Sequence, residues 1–379
     1  MRILIDVRFL STGKFSGIGE YAHNLISEMI VNNPEHHFIL FYSGYRRPSP
    51  PINWTGRKNV SFIGWNIPNK LLNASLRFLN YPNLKKIAHP NIIFSPHFLN
   101  FPLSDTPRVL TIHDLSFIHH PQFFSKSQRF WHWFQDIQKQ ISSAHHIITD
   151  AHFTKDDLIN TFNINPGKIS VVPPGLKNDF KVLSSESEQD SLNRFKNKYN
   201  LNGPALLYLG ALEPRKNITA VIRAFNLLKQ DPQHQDLSLI LAGSQSWLPQ
   251  SFQVEIKKSP FNHDIKIIKN LVSADRVLLY NSCRAFVYPS FFEGFGFPPL
   301  EAQACGLPVV ASDRTSLPEI LNSSALLIDP WKVSQLADAL SSVLSEGELR
   351  TKLINQGLEN SKRFTWPATA QAIIKILEQ

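Results

Sequence analysis

The chain has 379 residues, 42% of them hydrophobic, with 39 Lys and Arg against 30 Asp and Glu for a formal charge of +9. That length exceeds one ordinary core and fits two domains of about 180 to 200 residues, for which the apolar content is ample. Its two cysteines, Cys283 and Cys305, exclude a disulfide framework and match no metal spacing, and no apolar run reaches membrane-spanning length, so a cytoplasmic protein, soluble or peripheral, is expected.

The charge is uneven. Residues 1–172 hold 17 Lys/Arg against 10 Asp/Glu, while residues 173–379 hold 22 against 20. A basic first half suits a polyanionic partner, either an anionic membrane surface or nucleic acid.

In chain order, short apolar runs alternate with amphipathic stretches, the pattern of parallel βαβ construction. Strands are expected at 2–9, 37–42, 60–64, 91–95, 108–113, 145–150 and 169–172. Between the first two, Ile18, Tyr21, Ala22, Leu25, Ile26, Met29 and Ile30 make one apolar helical stripe. Thr154 with Asp157 resembles a capping box. The polar stretch 177–200 then breaks the rhythm, and an interdomain linker is expected near its start. Strands resume at 205–209, 237–242, 265–268, 285–288, 308–311 and 325–328, with helices at 217–229, 274–282 and 333–344. A last amphipathic helix follows Trp366-Pro367. The fold class expected is α/β, two doubly wound sheets with chemistry at the carboxyl ends of the strands, in a cleft between the domains.

The chemistry-bearing residues fall at those strand ends. Gly13, Gly17 and Gly19 follow the first strand and suit anion contact or a plain tight turn. Lacking G-x-G-x-x-G, they argue against a nicotinamide enzyme. His113 and Asp114 close one strand and Asp150 closes another. Arg215 and Lys216 stand before Asn217, a helix N-cap candidate. Such cations can neutralise a leaving diphosphate, though a solvated pair also fits. Gly243-Ser244 adds a turn on the same edge. Glu293 and Glu301 flank Gly294, Phe295, Gly296, Phe297 and Pro298, where a glycine turn flips into a helix that Gly306 can end. The two carboxylates can accept from the hydroxyls of a sugar nucleotide, or be solvated loop residues. Zinc motifs, Walker loops and nucleophile elbows are missing from the sequence, so no metal or cofactor is expected.

Taken together, Gly17-Ile-Gly-Glu-Tyr21, Thr111-Ile-His-Asp114, Val172-Pro-Pro-Gly175, Tyr208 to Asn217, Pro289 to Ala302 and Cys305 to Ser312 resemble the retaining glycosyltransferases of family 4, the group 1 transferases. The resemblance spans nearly the whole chain. It implies a GT-B fold of two Rossmann-like domains: an acceptor domain at 1–180, a nucleotide-sugar domain at 181–364, and residues 365–379 crossing back onto the first. It further implies that Arg215 and Lys216 bind the donor diphosphate, Glu293 meets the sugar hydroxyls and Glu301 the ribose. Amides of Gly294 to Phe297 would assist, with Gly17 touching phosphate and His113 near the sugar and the reaction centre. The donor expected is GDP-mannose, with a UDP-hexose close behind, and the acceptor a saccharide or lipid-linked saccharide of polysaccharide assembly. Glu293 is assigned to sugar binding and charge stabilisation rather than covalent catalysis.

Two rivals remain: a nucleotide-sugar epimerase or hydrolase on the same scaffold, and a nucleic-acid-binding protein. The second rests on charge alone and lacks a clustered basic motif with stacking aromatics, so no nucleic-acid partner is expected. The segment from Trp65 to Tyr81, followed by Lys85-Lys86, interleaves Lys70 and Arg77 with aromatics and leucines. It reads either as an interfacial membrane helix or as an ordinary core-facing one.

Overall fold

The computed structural model describes residues 1–8, 17–44, 54–102, 105–243, 250–269, 271–272, 274–345 and 347–379. Gly13, Ser244 and most of the loop between the second and third strands lie outside them. The chain divides into two compact units, Met1–Gly175 with Thr365–Gln379, and Leu176–Phe364. The boundary expected at 180/181 therefore falls at 175/176.

In the first unit, β1 (Arg2–Asp6), β2 (His37–Ser43), β3 (Val60–Trp65), β4 (Ile92–Ser95), β5 (Arg108–Ile112), β6 (His146–Thr149) and β7 (Ile169–Val171) form one parallel sheet in the order β3-β2-β1-β4-β5-β6-β7. Strands such as β4 and β5 are buried at every position, as parallel strands covered on both faces must be. Strand β1 stops at Asp6, short of the expected Phe9. The Arg8 guanidinium folds back onto both Asp6 oxygens (2.9 and 2.6 Å) and the Arg8 amide also donates to that carboxylate, closing a turn.

Helix Gly17–Asn32 buries Tyr21, Ala22, Leu25, Ile26, Met29 and Ile30, the expected stripe except for half-buried Ile18. At about 1.5–3 kcal/mol for each large apolar side chain, this face fastens the helix. Part of its cover comes from the far end of the chain, helix Trp366–Leu377, which buries Ala370, Ile373, Ile374 and Leu377. The return is tight. A Cβ on Gly175 would stand 2.1 Å from the Trp366 nitrogen, and Thr369 Oγ1 donates to the Pro173 carbonyl at 2.8 Å.

In the second unit, β8 (Ala205–Leu209), β9 (Ser238–Gly243), β10 (Ile265–Lys269), β11 (Ala285–Tyr288), β12 (Val309–Ser312) and β13 (Leu326–Ile328) run parallel in the order β10-β9-β8-β11-β12-β13. The strand order reverses between β8 and β11, the switch point at which such sheets open to ligands.

The unit boundary falls just ahead of the polar stretch 177–200, near whose start a linker is expected, and the stretch itself contains helix Glu186–Lys198, started by a full Ser185/Glu188 capping box and anchored by buried Leu192 and Phe195. Thr154 caps nothing. Helix His152–Phe162 begins after Ala151, and Thr154 is buried in its first turn with Oγ1 donating to the His113 carbonyl at 3.4 Å. Its supposed partner Asp157 instead accepts from His119 Nε2 at 2.7 Å and Thr161 Oγ1 at 3.2 Å.

Candidate active site

In the second unit, Arg215 and Lys216 lie on a 3-10 turn, Pro214–Lys216, between β8 and helix Ile218–Leu228. Glu293 stands after β11, the neighbouring strand. Lys216 Nζ donates to Glu293 Oε1 at 2.6 Å and to the Tyr288 hydroxyl at 2.7 Å, with both members of the ion pair buried. Expected to hold different parts of a ligand, these two residues are joined to each other. Burial alone would raise the Glu293 carboxyl, but the Lys216 and Arg215 charges outweigh it and hold the group below its ordinary value. Burial lowers Lys216, against the opposing pull of Glu293. Tyr208 and Tyr288, stacked with ring centres 6.0 Å apart, are pushed up by burial and then by the Glu293 charge, so both keep their protons.

Arg215 is fixed from two sides. Its carbonyl accepts from the Phe291 amide at 2.9 Å, and its Nη1 donates to the Phe292 carbonyl at 3.3 Å. Glu213 lies 3.7 Å from its Nη2. Asn217 occupies the helix N-cap position, but its side chain does not cap. It adopts left-handed backbone, and Nδ2 donates to the Pro330 carbonyl at 2.7 Å.

The turn carrying Glu293 is held by hydroxyls that the sequence analysis missed. Thr315 Oγ1 accepts from the Glu293 amide at 3.0 Å, while buried Ser316 Oγ donates to the Glu293 and Phe295 carbonyls at 3.0 and 3.3 Å. Of Gly294 and Gly296, expected to supply positive φ or a close backbone approach, Gly296 takes φ 100°, and a Cβ there would meet Leu317 Cδ2 at 2.6 Å. Gly296 precedes helix Phe297–Ala304, whose second residue is Pro298, and Gly306 follows its end with φ 70°. Pro298 and Pro299 have no N–H, so the amides on offer belong to the upstream segment Gly294–Phe297.

Glu301 sits deeper than expected, in the second helical turn rather than the first. It is buried. Oε1 is paired with Arg276, and Oε2 accepts from the Tyr280 hydroxyl at 2.8 Å, both partners coming from helix Asp275–Asn281. Neither partner was named from the sequence, although Arg276 and Tyr280 share one face of an expected helix.

In the first unit, His113 and Asp150 stand after the adjacent strands β5 and β6. His113 Nδ1 lies 2.7 Å from Asp150 Oδ2 and Nε2 lies 2.9 Å from the Pro96 carbonyl. Both partners only accept, so both nitrogens carry protons and the ring is a cation. Burial pulls its pKa down, but the Asp150 charge and hydrogen bond, then Pro96 and Asp114, carry it above the ordinary value. Both ring nitrogens are thus engaged within the first unit, by Asp150 and by the Pro96 carbonyl. Tyr21 presents its ring edge-on to His113 with centres 4.7 Å apart. Gly17 begins helix Gly17–Asn32 with open space where a Cβ would stand.

Among the described residues, no group of three or more His, Cys, Asp or Glu comes together as metal ligands, and no helix is long and apolar enough to cross a membrane.

The model of the glycosyl transferases group 1 matches residues 189–360, and that of Glycosyltransferase Family 4 matches residues 15–180. The O-antigen chain mannosyltransferase B of Escherichia coli is 31% identical over 288 residues, covering 76% of this chain and 73% of that protein. The chain is a group 1, family 4 glycosyltransferase. The Escherichia coli serotype-specific mannosyltransferase WbdA is 25% identical over 99% of the transferase, which spans about half (48%) of WbdA's length. Sucrose-phosphate synthase from Thermosynechococcus elongatus superposes with TM-score 0.77 at 17% identity, covering 100% of this chain and 98% of that one. Anabaena HepE, solved with UDP-glucose, gives 0.71 at 18%, covering 100% and 99%. These likenesses establish the transferase's GT-B fold, the architecture expected from the sequence.

Proposed function

We propose that the transferase moves a hexose, mannose first among candidates, from a nucleoside diphosphate sugar to a hydroxyl of a lipid-linked or growing cell-surface saccharide. It does so with retention and without a metal, at the cytoplasmic side of the membrane. The observation that carries the reading is the buried Lys216–Glu293 pair beside Arg215, at the switch point of the second sheet. A diphosphate brought there meets two cations, and Glu293, held ionised, accepts from the sugar's hydroxyls and faces the positive charge that grows on the ring. The C1–O bond to phosphate breaks as the acceptor oxygen bonds C1 on the same face, and the acceptor's proton passes to the departing phosphate oxygen. The mannosyltransferases of Escherichia coli to which the chain is similar support mannose, and the HepE complex keeps UDP-glucose next in line.

The test is donor turnover with GDP-mannose, UDP-glucose and UDP-N-acetylglucosamine, each with and without a lipid-linked saccharide and with and without EDTA. Acceptor-dependent, EDTA-resistant release of GDP with an α-linked product is expected. Donor conversion without acceptor would replace transfer by epimerisation or hydrolysis. An Arg215→Ala enzyme with full activity would overturn the diphosphate assignment.

A further inference from the structure

The first unit carries an exposed apolar face that the transfer chemistry does not use. Leu71, Phe78, Leu79, Phe130 and Trp133 are each between 62 and 74% exposed. They come from helix Asn69–Phe78, the residue after it, and helix Lys126–Gln135. Leu71 and Phe78 lie seven residues apart on one helical face, as Phe130 and Trp133 do at three. Arg77 joins the two helices. Its guanidinium sits 5.7, 4.8 and 5.2 Å from the rings of Phe78, Trp133 and Phe134, and Nη1 donates to the Trp133 carbonyl at 3.0 Å and to that of Phe134. Phe78 meets Phe134 edge-on with centres 6.1 Å apart, so the two helices present one surface. Arg77 is thus the rivet of the patch rather than one of its free charges.

The border of this surface is cationic. Lys70, Lys86, Lys126 and Arg129 are exposed around it, and neither 69–88 nor 126–135 contains a single Asp or Glu. The acids just beyond are engaged, Asp105 with Lys85 at 3.3 Å and Asp136 with Arg77 at 3.9 Å. Protein interfaces are depleted of lysine, and two copies of a uniformly cationic face repel each other. A bilayer with anionic headgroups takes both features: leucine and aromatic side chains enter the acyl boundary while lysines and arginines stay among the phosphates.

We propose that this face docks the first unit on an anionic lipid bilayer. The docking test uses no sugar nucleotide, so its result is independent of the transfer assay. Cosedimentation of the full chain with neutral phosphatidylcholine vesicles and with vesicles one-quarter phosphatidylglycerol should show at least tenfold tighter binding to the latter, weakening with salt. A variant with Leu71→Gln, Leu79→Gln and Phe130→Gln, which spares the Arg77 bridge, should lose at least tenfold on both vesicle types. A variant with Lys70→Gln, Lys86→Gln, Lys126→Gln and Arg129→Gln should lose the preference for anionic lipid. Equal binding of the native chain to both vesicle types, or unaltered binding by both variants at unchanged Tm, overturns the proposal. A native chain that ignores vesicles but dimerises, and is monomeric after the apolar substitutions, assigns the face to a second copy instead.

Discussion

Both units set a cation after one parallel strand and a carboxylate after its neighbour, yet the two pairs are built from different chemistry. In the second unit the pair is Lys216 and Glu293, a primary ammonium and a carboxylate, both buried. In the first it is His113 and Asp150, where the cation exists only because its two acceptors demand both protons. The difference teaches where each unit keeps its charge. In the lysine pair burial and the partner's charge pull Lys216 in opposite directions, while the histidine pair is a titratable element set at a strand end.

The largest expected effect comes from cutting the lysine pair. Glu293→Ala leaves a buried ammonium unpaired, costing about 3–5 kcal/mol and eliminating turnover. A Lys216→Met, Glu293→Leu double variant should recover most of that stability while remaining inactive, as read by denaturant unfolding beside the transferase assay. A double variant that regains turnover would show the pair to be structural only.

A smaller effect separates the units by pH. His113, raised above the unfolded value of about 6.5, contributes stability that is complete below about pH 6.5 and fades as pH rises through its folded value. His97 and His132, held by burial at about 3 and about 4, act in the opposite sense: their contribution is present above about pH 6.5 and is lost as pH falls toward those values. Asp150→Asn should therefore erase the alkaline loss in Tm and keep the acid one. An unchanged alkaline limb would break the comparison.

The smallest effect is a control. Ser185→Ala removes the cap of helix Glu186–Lys198 and should cost about 1 kcal/mol with no change in the pH profile, as measured by thermal unfolding across pH.

The sheets were legible because strands buried on both faces must be apolar throughout, and β8 and β11 have the expected bounds. The glycine turn before Phe297 was legible because Gly296 has to be glycine. What escaped was pairing. Lys216 and Glu293 are 77 positions apart and meet only because β8 and β11 are neighbours, which local spacing does not encode. Arg276 reaches Glu301 for the same kind of reason, across two helices. Helix Glu186–Lys198 escaped because only Leu192 and Phe195 of its thirteen residues are buried, so its composition reads as solvent-facing chain. The Ser185/Glu188 box was the available signal.

The route by which residues 365–379 return to cover helix Gly17–Asn32 has a consequence for biosynthesis. The second unit lies wholly within the first along the chain, so it leaves the ribosome entire while its companion still lacks a wall. Nascent protein must carry an open face on helix Gly17–Asn32 until helix Trp366–Leu377 has been made, and a stop codon placed just before Trp366 would strand that face in water.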